Sequence, residues 1–133
     1  MISYSYPALI TSLALLLYVF TVIRVVFGRR KYRIMAPVVT GHPEFERRFR
    51  IQQNTLEQLL LFLPSLWVFS FFVSPVVASI PGLFILGRLI YIISYSYNPE
   101  WRRPGFAIGA IVSLVLLIGG TGAVVKLILE NHL

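Results

Sequence analysis

The chain has 133 residues, of which 57% are hydrophobic and 13% are charged, and it carries a formal net charge of +7. A water-soluble domain of this length is rarely so apolar, so the composition predicts a membrane protein. The absence of cysteine excludes disulfides, thiolate metal sites and a protein-borne thiol nucleophile. The two histidines lie far apart and the five acidic residues do not cluster with them, so we expect no metal site.

Four apolar segments cover residues 7–27, 59–73, 76–93 and 106–125. A transmembrane helix needs about 20 apolar residues to cross about 30 Å of hydrocarbon. The first and last segments approach this length, and the second reaches it when residues 54–58 are included. We therefore predict an all-α integral membrane four-helix bundle that forms one domain over residues 1–133. Its helices are expected at about 5–28, 43–73, 76–98 and 104–129.

The first apolar segment has no Lys or Arg before Arg24 and is followed by no small-residue cleavage site. It lacks the features of a cleaved signal peptide, and we expect it to remain in the protein. Gly28 is a suitable end for the first helix. Pro75, Pro81 and Gly82 indicate a tight turn into the third helix.

Basic residues concentrate in two of the three connections. The first connection and its borders contain Arg29, Arg30, Lys31, Arg33, Arg47, Arg48 and Arg50, and the third contains Arg102 and Arg103. By the positive-inside rule, both loops face the cytoplasm and both termini lie on the opposite side of a bacterial inner membrane or an endomembrane. A cationic rim beside membrane spans is ordinarily a topology signal, so we do not expect nucleic acid as a partner.

The stretch EFERRFRIQQNTLEQ, residues 44–58, is charged and amide-rich and leads directly into an apolar run. Residues 40–42 can cap a helix and Pro43 suits its first turn, so one helix is predicted to begin in water and end in lipid. Pro64 predicts a kink in its apolar part. At about 100° per residue, a polar stripe occupies an arc of roughly 80° on this helix. The stripe consists of Arg47, Arg50, Asn54 and Glu57.

The third helix also carries polar side chains on one face. Arg88, Tyr91 and Tyr95 are spaced by three and four residues, which places them on the same side. Tyr97 and Trp101 are better explained as an interfacial aromatic belt.

A guanidinium at membrane depth costs about 2.5–3.5 kcal/mol, so Arg88 needs a partner. Glu57 is the only acid at that depth, and the two residues could form a structural ion pair, with Asn54 as an interhelical hydrogen bond. A polar pocket between the helices explains in addition why the stripe continues to Arg47 and Arg50. Both interpretations are consistent with the sequence.

The fourth helix is uncharged over residues 106–125 and rich in glycine. Small residues let neighbouring helices approach closely, so we expect this helix to provide a packing or oligomer surface. The glycines are Gly105, Gly109, Gly119, Gly120 and Gly122.

These segments together resemble the MAPEG family, the membrane-associated proteins in eicosanoid and glutathione metabolism. The similarity is carried by FERRFRIQQNTLEQ, by GRRKYR and a TGHPE turn before it, and by RLIYIISY and WRRPGF after it. It covers nearly the whole chain and is greatest for the microsomal glutathione transferases of types two and three and their bacterial relatives. The resemblance implies a homotrimer of four-helix subunits that binds glutathione between neighbouring subunits near the cytosolic face.

The resemblance also implies roles for individual residues. The positions that match glutathione-binding residues are Arg29, Arg50, Gln52, Asn54, Glu57, Arg88, Tyr91 and Tyr95. Arg102 matches the arginine taken to stabilise the glutathione thiolate, with Arg30 as a second candidate for a catalytic role. The adjacent Arg103 leaves open which guanidinium faces the thiol. Several family enzymes have a tyrosine directly after the glutamate that Glu57 matches, and this chain has Gln58 there.

These residue types suit glutathione, because arginines bind carboxylates by forked hydrogen bonds and Glu57 can bind the ammonium group. We therefore expect a membrane-bound glutathione transferase that activates glutathione as a thiolate for conjugation to apolar electrophiles. Lipid hydroperoxide reduction, a glutathione peroxidase activity, is an additional expectation. Glutathione is the expected cosubstrate, without a metal, and membrane lipids are expected partners.

Two other classes of function are left open. A nonenzymatic lipid-binding protein of the same fold would show lipid affinity without forming a thiolate. A nonenzymatic relative in the leukotriene pathway lacks the arginine that Arg50 matches and has aspartate where this chain has Glu57, so these two residues favour an enzyme. A small proton-coupled transporter would use Glu57 as its intramembrane acid, but it would not need an arginine-rich rim at these spacings.

Overall fold

A computed structural model describes residues 1–94 and 102–132, with side chains described for 1–93 and 107–132. These residues form four α-helices, and none of them lies in a β-strand. The helices are α1 (Ser5–Tyr32), which follows a short 3₁₀ turn at Ile2–Tyr4, α2 (Pro43–Phe72), α3 (Pro75–Ser94) and α4 (Arg102–His132). Each contains a stretch long and apolar enough to cross a membrane. The predicted all-α membrane protein with four spanning helices is confirmed.

The helices pack around one apolar cluster to which all four contribute. Phe62 and Leu66 of α2 are fully buried in it, together with Ile10 from α1, Leu89 from α3 and Leu116 from α4. Helix α2 contacts each of the other three helices and packs most extensively against α4. It continues as a helix through Pro64 to Phe72. Helix α2 is therefore the central element of the bundle.

Helix α1 continues past Gly28, where the sequence predicted its end. Gly28 is buried, and a Cβ atom added to it would lie 3.2 Å from the ring of Phe45, so this glycine serves close packing against α2. The helix ends at Tyr32. Arg33 then adopts the left-handed conformation with φ of 55°, and its N–H donates to the carbonyl of Arg29. The first residues of the predicted loop are therefore helical.

The start of α2 agrees with the prediction. His42 is the N-cap and its Nδ1 accepts a hydrogen bond from the N–H of Glu44 at 3.2 Å, while Pro43 occupies the first turn. The His42 ring stacks on Tyr32 with centroids 3.9 Å apart. The Tyr32 hydroxyl donates to the carboxylate of Glu44. These contacts join the end of α1 to the beginning of α2.

Helix α3 begins at Pro75, which places Pro81 and Gly82 inside the helix and corrects the prediction of a turn there. Pro75 suits the first helical position because its missing N–H would have no partner there. The hydroxyl of Ser74 accepts a hydrogen bond from the N–H of Val77 at 3.3 Å. The connection between α2 and α3 thus consists of Val73 and Ser74.

Helix α4 lies close against α2 at Gly119 and Gly120. A Cβ atom added to Gly120 would lie 2.9 Å from Cγ1 of Val68 and 3.0 Å from the backbone nitrogen of Phe69. No L side chain fits at that distance unless the two backbones move apart. An added Cβ at Gly122, by contrast, would meet nothing within 4 Å. The predicted packing role of this helix is therefore confirmed at Gly120.

Candidate functional site

The polar stripe of α2, formed by Arg47, Arg50, Asn54 and Glu57, lies outside the apolar cluster. Arg50 and Glu57 are exposed, and Arg47 and Asn54 are half-buried. The buried residues of α2 lie on a different part of its circumference and include Ile51. The stripe is therefore open on the surface of a single chain.

The side chains of Arg50, Asn54 and Glu57 form no hydrogen bond or ion pair within the described part of the chain. The structural ion pair between Glu57 and Arg88 that the sequence left open is not formed. The Arg88 guanidinium instead lies over the ring of Phe84, one turn earlier in α3, at 5.3 Å from its centroid. The charged groups of the stripe remain available to a ligand.

Arg29 and Arg30 are adjacent in sequence but differ in their contacts. Nη1 of Arg29 donates to the carbonyl of Val38 at 2.7 Å and to that of Ile34 at 3.4 Å. Its guanidinium also lies 5.0 Å from the centroid of the Phe45 ring. Arg30 is exposed and has none of these contacts. Arg29 thus stabilises the connection between α1 and α2 through its hydrogen bonds. The guanidinium of Arg30 is the one of the two that can bind a ligand.

Two contacts to α1 were not predicted from the sequence. Nε2 of Gln52 donates to the hydroxyl of Tyr18 at 3.5 Å, which links α2 to α1. Nη1 of Arg48 donates to the backbone carbonyl of Arg24 at 3.1 Å. A tyrosine inside an apolar run was the available signal for the first contact. Nothing in the sequence distinguishes Arg48 from the arginine before it.

Of the remaining predicted site residues, Arg88 and Tyr91 lie on α3 and Arg102 lies at the start of α4. Tyr91 is half-buried, three residues after Arg88. Arg102 is the first residue of α4. The roles assigned to Tyr95, Tyr97 and Trp101, and to the side chains of Arg102 and Arg103, fall outside the described residues and stay predictions.

Comparison with known proteins identifies the family of this fold and site. The sequence matches the MAPEG family over residues 7–121. The chain belongs to the MAPEG family. The resemblance noted in the sequence is thereby confirmed.

Three relatives illustrate the range of similarity. The uncharacterized protein sll1147 of Synechocystis sp. is 47% identical over 115 residues, which are 86% of this chain and 84% of that protein. Microsomal glutathione S-transferase 2 of Homo sapiens is 40% identical over 97 residues, 71% of this chain and 66% of the relative. Leukotriene C4 synthase of Rattus norvegicus is 35% identical over 120 residues, 89% of this chain and 80% of the relative. Glutathione-related transferase activity is thus supported for this MAPEG protein at the level of the family.

Proposed function

We propose that this protein is a membrane glutathione transferase that activates glutathione as a thiolate and conjugates it to apolar electrophiles. The observation that carries the proposal is the α2 stripe, where opposite charges on one membrane-spanning helix have no partner among the described residues. An exposed charge at membrane depth is unfavourable by several kcal/mol, roughly 2.5–3.5 at the centre. A ligand or a neighbouring subunit must therefore cover Arg50 and Glu57.

The dimensions of the stripe suit a tripeptide. Arg50 and Glu57 are seven residues apart, about 10 Å along a helix that rises 1.5 Å per residue. Three residues of chain span at most about 10 Å when extended, so a glutathione molecule bound in the bent form that the family resemblance implies fits within this length. Glutathione carries two carboxylates and one ammonium group, which Arg50 and Glu57 can bind as charge-assisted hydrogen bonds, with Asn54 between them.

The proposed assembly is a homotrimer in which a neighbouring subunit closes the pocket over the stripe. This arrangement would give the exposed charges polar neighbours in place of lipid. Arg88 and Tyr91 of α3, together with Tyr95, are the proposed ligand-binding residues beyond α2, and Gln52 is proposed to bind next to the stripe. We place the pocket near the cytoplasmic face, because the basic connections flank it.

A guanidinium next to the sulfur lowers the pKa of the glutathione thiol, since it stabilises the thiolate electrostatically. We assign this role to Arg102, with Arg30 as the second cation. The thiolate then forms a carbon–sulfur bond with the electrophile. With a lipid hydroperoxide, two glutathione molecules would supply two electrons and become a disulfide, and the hydroperoxide would become an alcohol and water.

The deciding experiment is ultraviolet absorbance at the thiolate band on mixing purified protein with glutathione at neutral pH. The parent should show a thiolate signal that Arg102→Ala abolishes, and Arg50→Ala should weaken glutathione binding. Lys126→Ala is a matched control, because Lys126 is an exposed cation whose partner is Glu130 in the last turns of α4. A parent that binds no glutathione would reject the transferase and favour lipid binding or transport.

A further inference from the structure

Helix α1 carries a row of exposed apolar side chains along its whole length. They recur every three or four residues, which places them on one side of the helix, and each is between 44% and 64% exposed. The row, called here the apolar face of α1, consists of Leu9, Leu13, Leu16, Phe20, Ile23 and Phe27. The buried residues of α1, among them Ala14 and Val25, lie on another part of its circumference. The described chain therefore leaves this face uncovered.

The length of the apolar face places a cation at the level of the lipid headgroups. From Leu9 to Phe27 the face extends about 27 Å at 1.5 Å per residue, close to the roughly 30 Å of a bilayer core. Lys31 follows Phe27 by one helical turn. The half of the face next to Lys31, from Leu16 to Phe27, extends about 16 Å, which is the depth of one leaflet. An acyl chain on this half would place its headgroup beside Lys31.

Lys31 is exposed, and its ammonium group forms no ion pair among the described residues. The ammonium lies 5.4 Å from the centroid of the Tyr32 ring, and no described residue accepts a hydrogen bond from it. Glu44 interacts electrostatically with Lys31, but its carboxylate accepts a hydrogen bond from the Tyr32 hydroxyl. The three N–H donors of Lys31 can therefore bind an anion from outside the described chain.

The charge at this end of the bundle favours an anionic lipid over a second copy of the chain as the occupant. Residues 29–50 include seven basic side chains and two acidic ones. Copies related by an axis along the membrane normal hold the same groups at the same depth, so a neighbouring copy would add cations beside Lys31. A lipid phosphate supplies negative charge at that depth, and its acyl chain covers the apolar residues.

We propose that Lys31 and the adjoining half of the apolar face of α1 form a binding site for an anionic phospholipid. The lipid belongs to the leaflet next to the basic connections. Its phosphate accepts hydrogen bonds from the Lys31 ammonium, and an acyl chain lies along Phe20, Ile23 and Phe27. A zwitterionic lipid binds less well, because its own cation offsets the attraction. Arg30 lies at the same end, but the proposed transferase assigns it to glutathione, so the lipid site is tested at Lys31 and in the absence of glutathione.

The test makes use of the chain's lack of cysteine. Ile23→Cys and Leu13→Cys each accept a single bimane fluorophore. The two parent side chains are 45% and 44% exposed on the same face, but they lie in opposite halves of the membrane. The labelled proteins are placed in vesicles of phosphatidylglycerol and phosphatidylcholine, with a nitroxide on the acyl chain of one lipid or the other. Quenching measures the preference for the anionic lipid, which should be present at Ile23→Cys and absent at Leu13→Cys.

Charge variants are compared in the Ile23→Cys protein. Lys31→Gln should lower the preference about fivefold, the effect of one basic residue beside anionic lipid, and Lys31→Arg should retain it. Lys126→Gln is the matched control, because Lys126 is an exposed cation near the end of α4, and it should change nothing. An equal preference at both labelled positions, or an unchanged preference in Lys31→Gln, would overturn the proposal. So would quenching by both lipids at Leu13→Cys with none at Ile23→Cys, because a second copy would then cover this half of the face.

Discussion

The apolar and the basic parts of the bundle are held together by different forces. In the apolar part, Phe62 and Leu66 are fully buried among side chains from all four helices. In the basic part, where α1 meets α2, a small cluster of Val25, Ile34 and Phe45 is buried. Hydrogen bonds to carbonyls and contacts between rings supplement that small cluster. The stability of the apolar part therefore comes from buried side-chain volume. The stability of the basic part comes from individual hydrogen bonds and ring contacts.

This difference explains why so many charges are compatible with an ordered structure. Arg29 and Arg48 bind backbone carbonyls, and Glu44 accepts from a tyrosine hydroxyl, so these residues contribute to the scaffold. Arg50 and Glu57 lie between the two parts and contribute to neither. We therefore expect substitutions in the stripe to affect ligand binding more than folding.

The largest effect is expected in the apolar part. Phe62→Ala should lower the free energy of unfolding by about 3–5 kcal/mol, because it leaves a cavity among all four helices. Reversible unfolding in detergent micelles measures this change. Leu60→Ala is the control, since Leu60 is 73% exposed, and a comparable loss there would contradict the assignment of the core.

The next effect tests the basic part. Arg29→Ala should destabilise the protein by about 2 kcal/mol, because it removes charged hydrogen bonds to two carbonyls and a cation–π contact. Arg30→Ala should change stability by less than about 0.5 kcal/mol, as is usual for an exposed residue, but should reduce the rate of glutathione conjugation. Unfolding and turnover are measured on both variants. Equal stability losses would show that the two arginines do not differ as described.

A smaller effect tests the contact between α2 and α4. Gly120→Ala should destabilise by about 1–2 kcal/mol, since overpacking outweighs the better helix propensity of alanine. Gly122→Ala should be neutral or stabilising, because an added Cβ there meets nothing. Melting temperatures of the two variants in the same detergent give the comparison. A stable Gly120→Ala protein would mean that the backbones can separate at little cost.

The smallest effect on stability is expected in the stripe. Glu57→Gln should change the free energy of unfolding by less than about 0.5 kcal/mol, because the carboxylate has no partner in the part of the chain that the structure describes. The same substitution should weaken glutathione binding, since the ammonium group loses an ionic acceptor. Calorimetric titration with glutathione measures the second effect. A large loss of stability together with normal binding would assign Glu57 to the scaffold.

Local signals in the sequence were sufficient for much of the fold. The lengths of the apolar segments predicted four spans, and His42 with Pro43 predicted the start of α2, because capping depends on neighbouring residues only. Gly28 and Pro81 were misleading for the opposite reason. Taken alone, a glycine or a proline indicates the end of a helix. Gly28 instead lies inside α1, where it allows close packing against α2, and Pro81 lies inside α3, beyond its first turn.

The sequence by itself determined the membrane class, the four spans and the face of α2 on which the stripe lies, because these follow from composition and helical period. Only the tertiary structure decided which of two neighbouring residues turns inward. Consecutive helical residues point in directions that differ by about 100°. Which member of the pair Arg29 and Arg30, or of the pair Glu57 and Gln58, is buried therefore depends on where the neighbouring helices pack. That is why Glu57 is exposed, whereas Gln58, the next residue, is buried against α4.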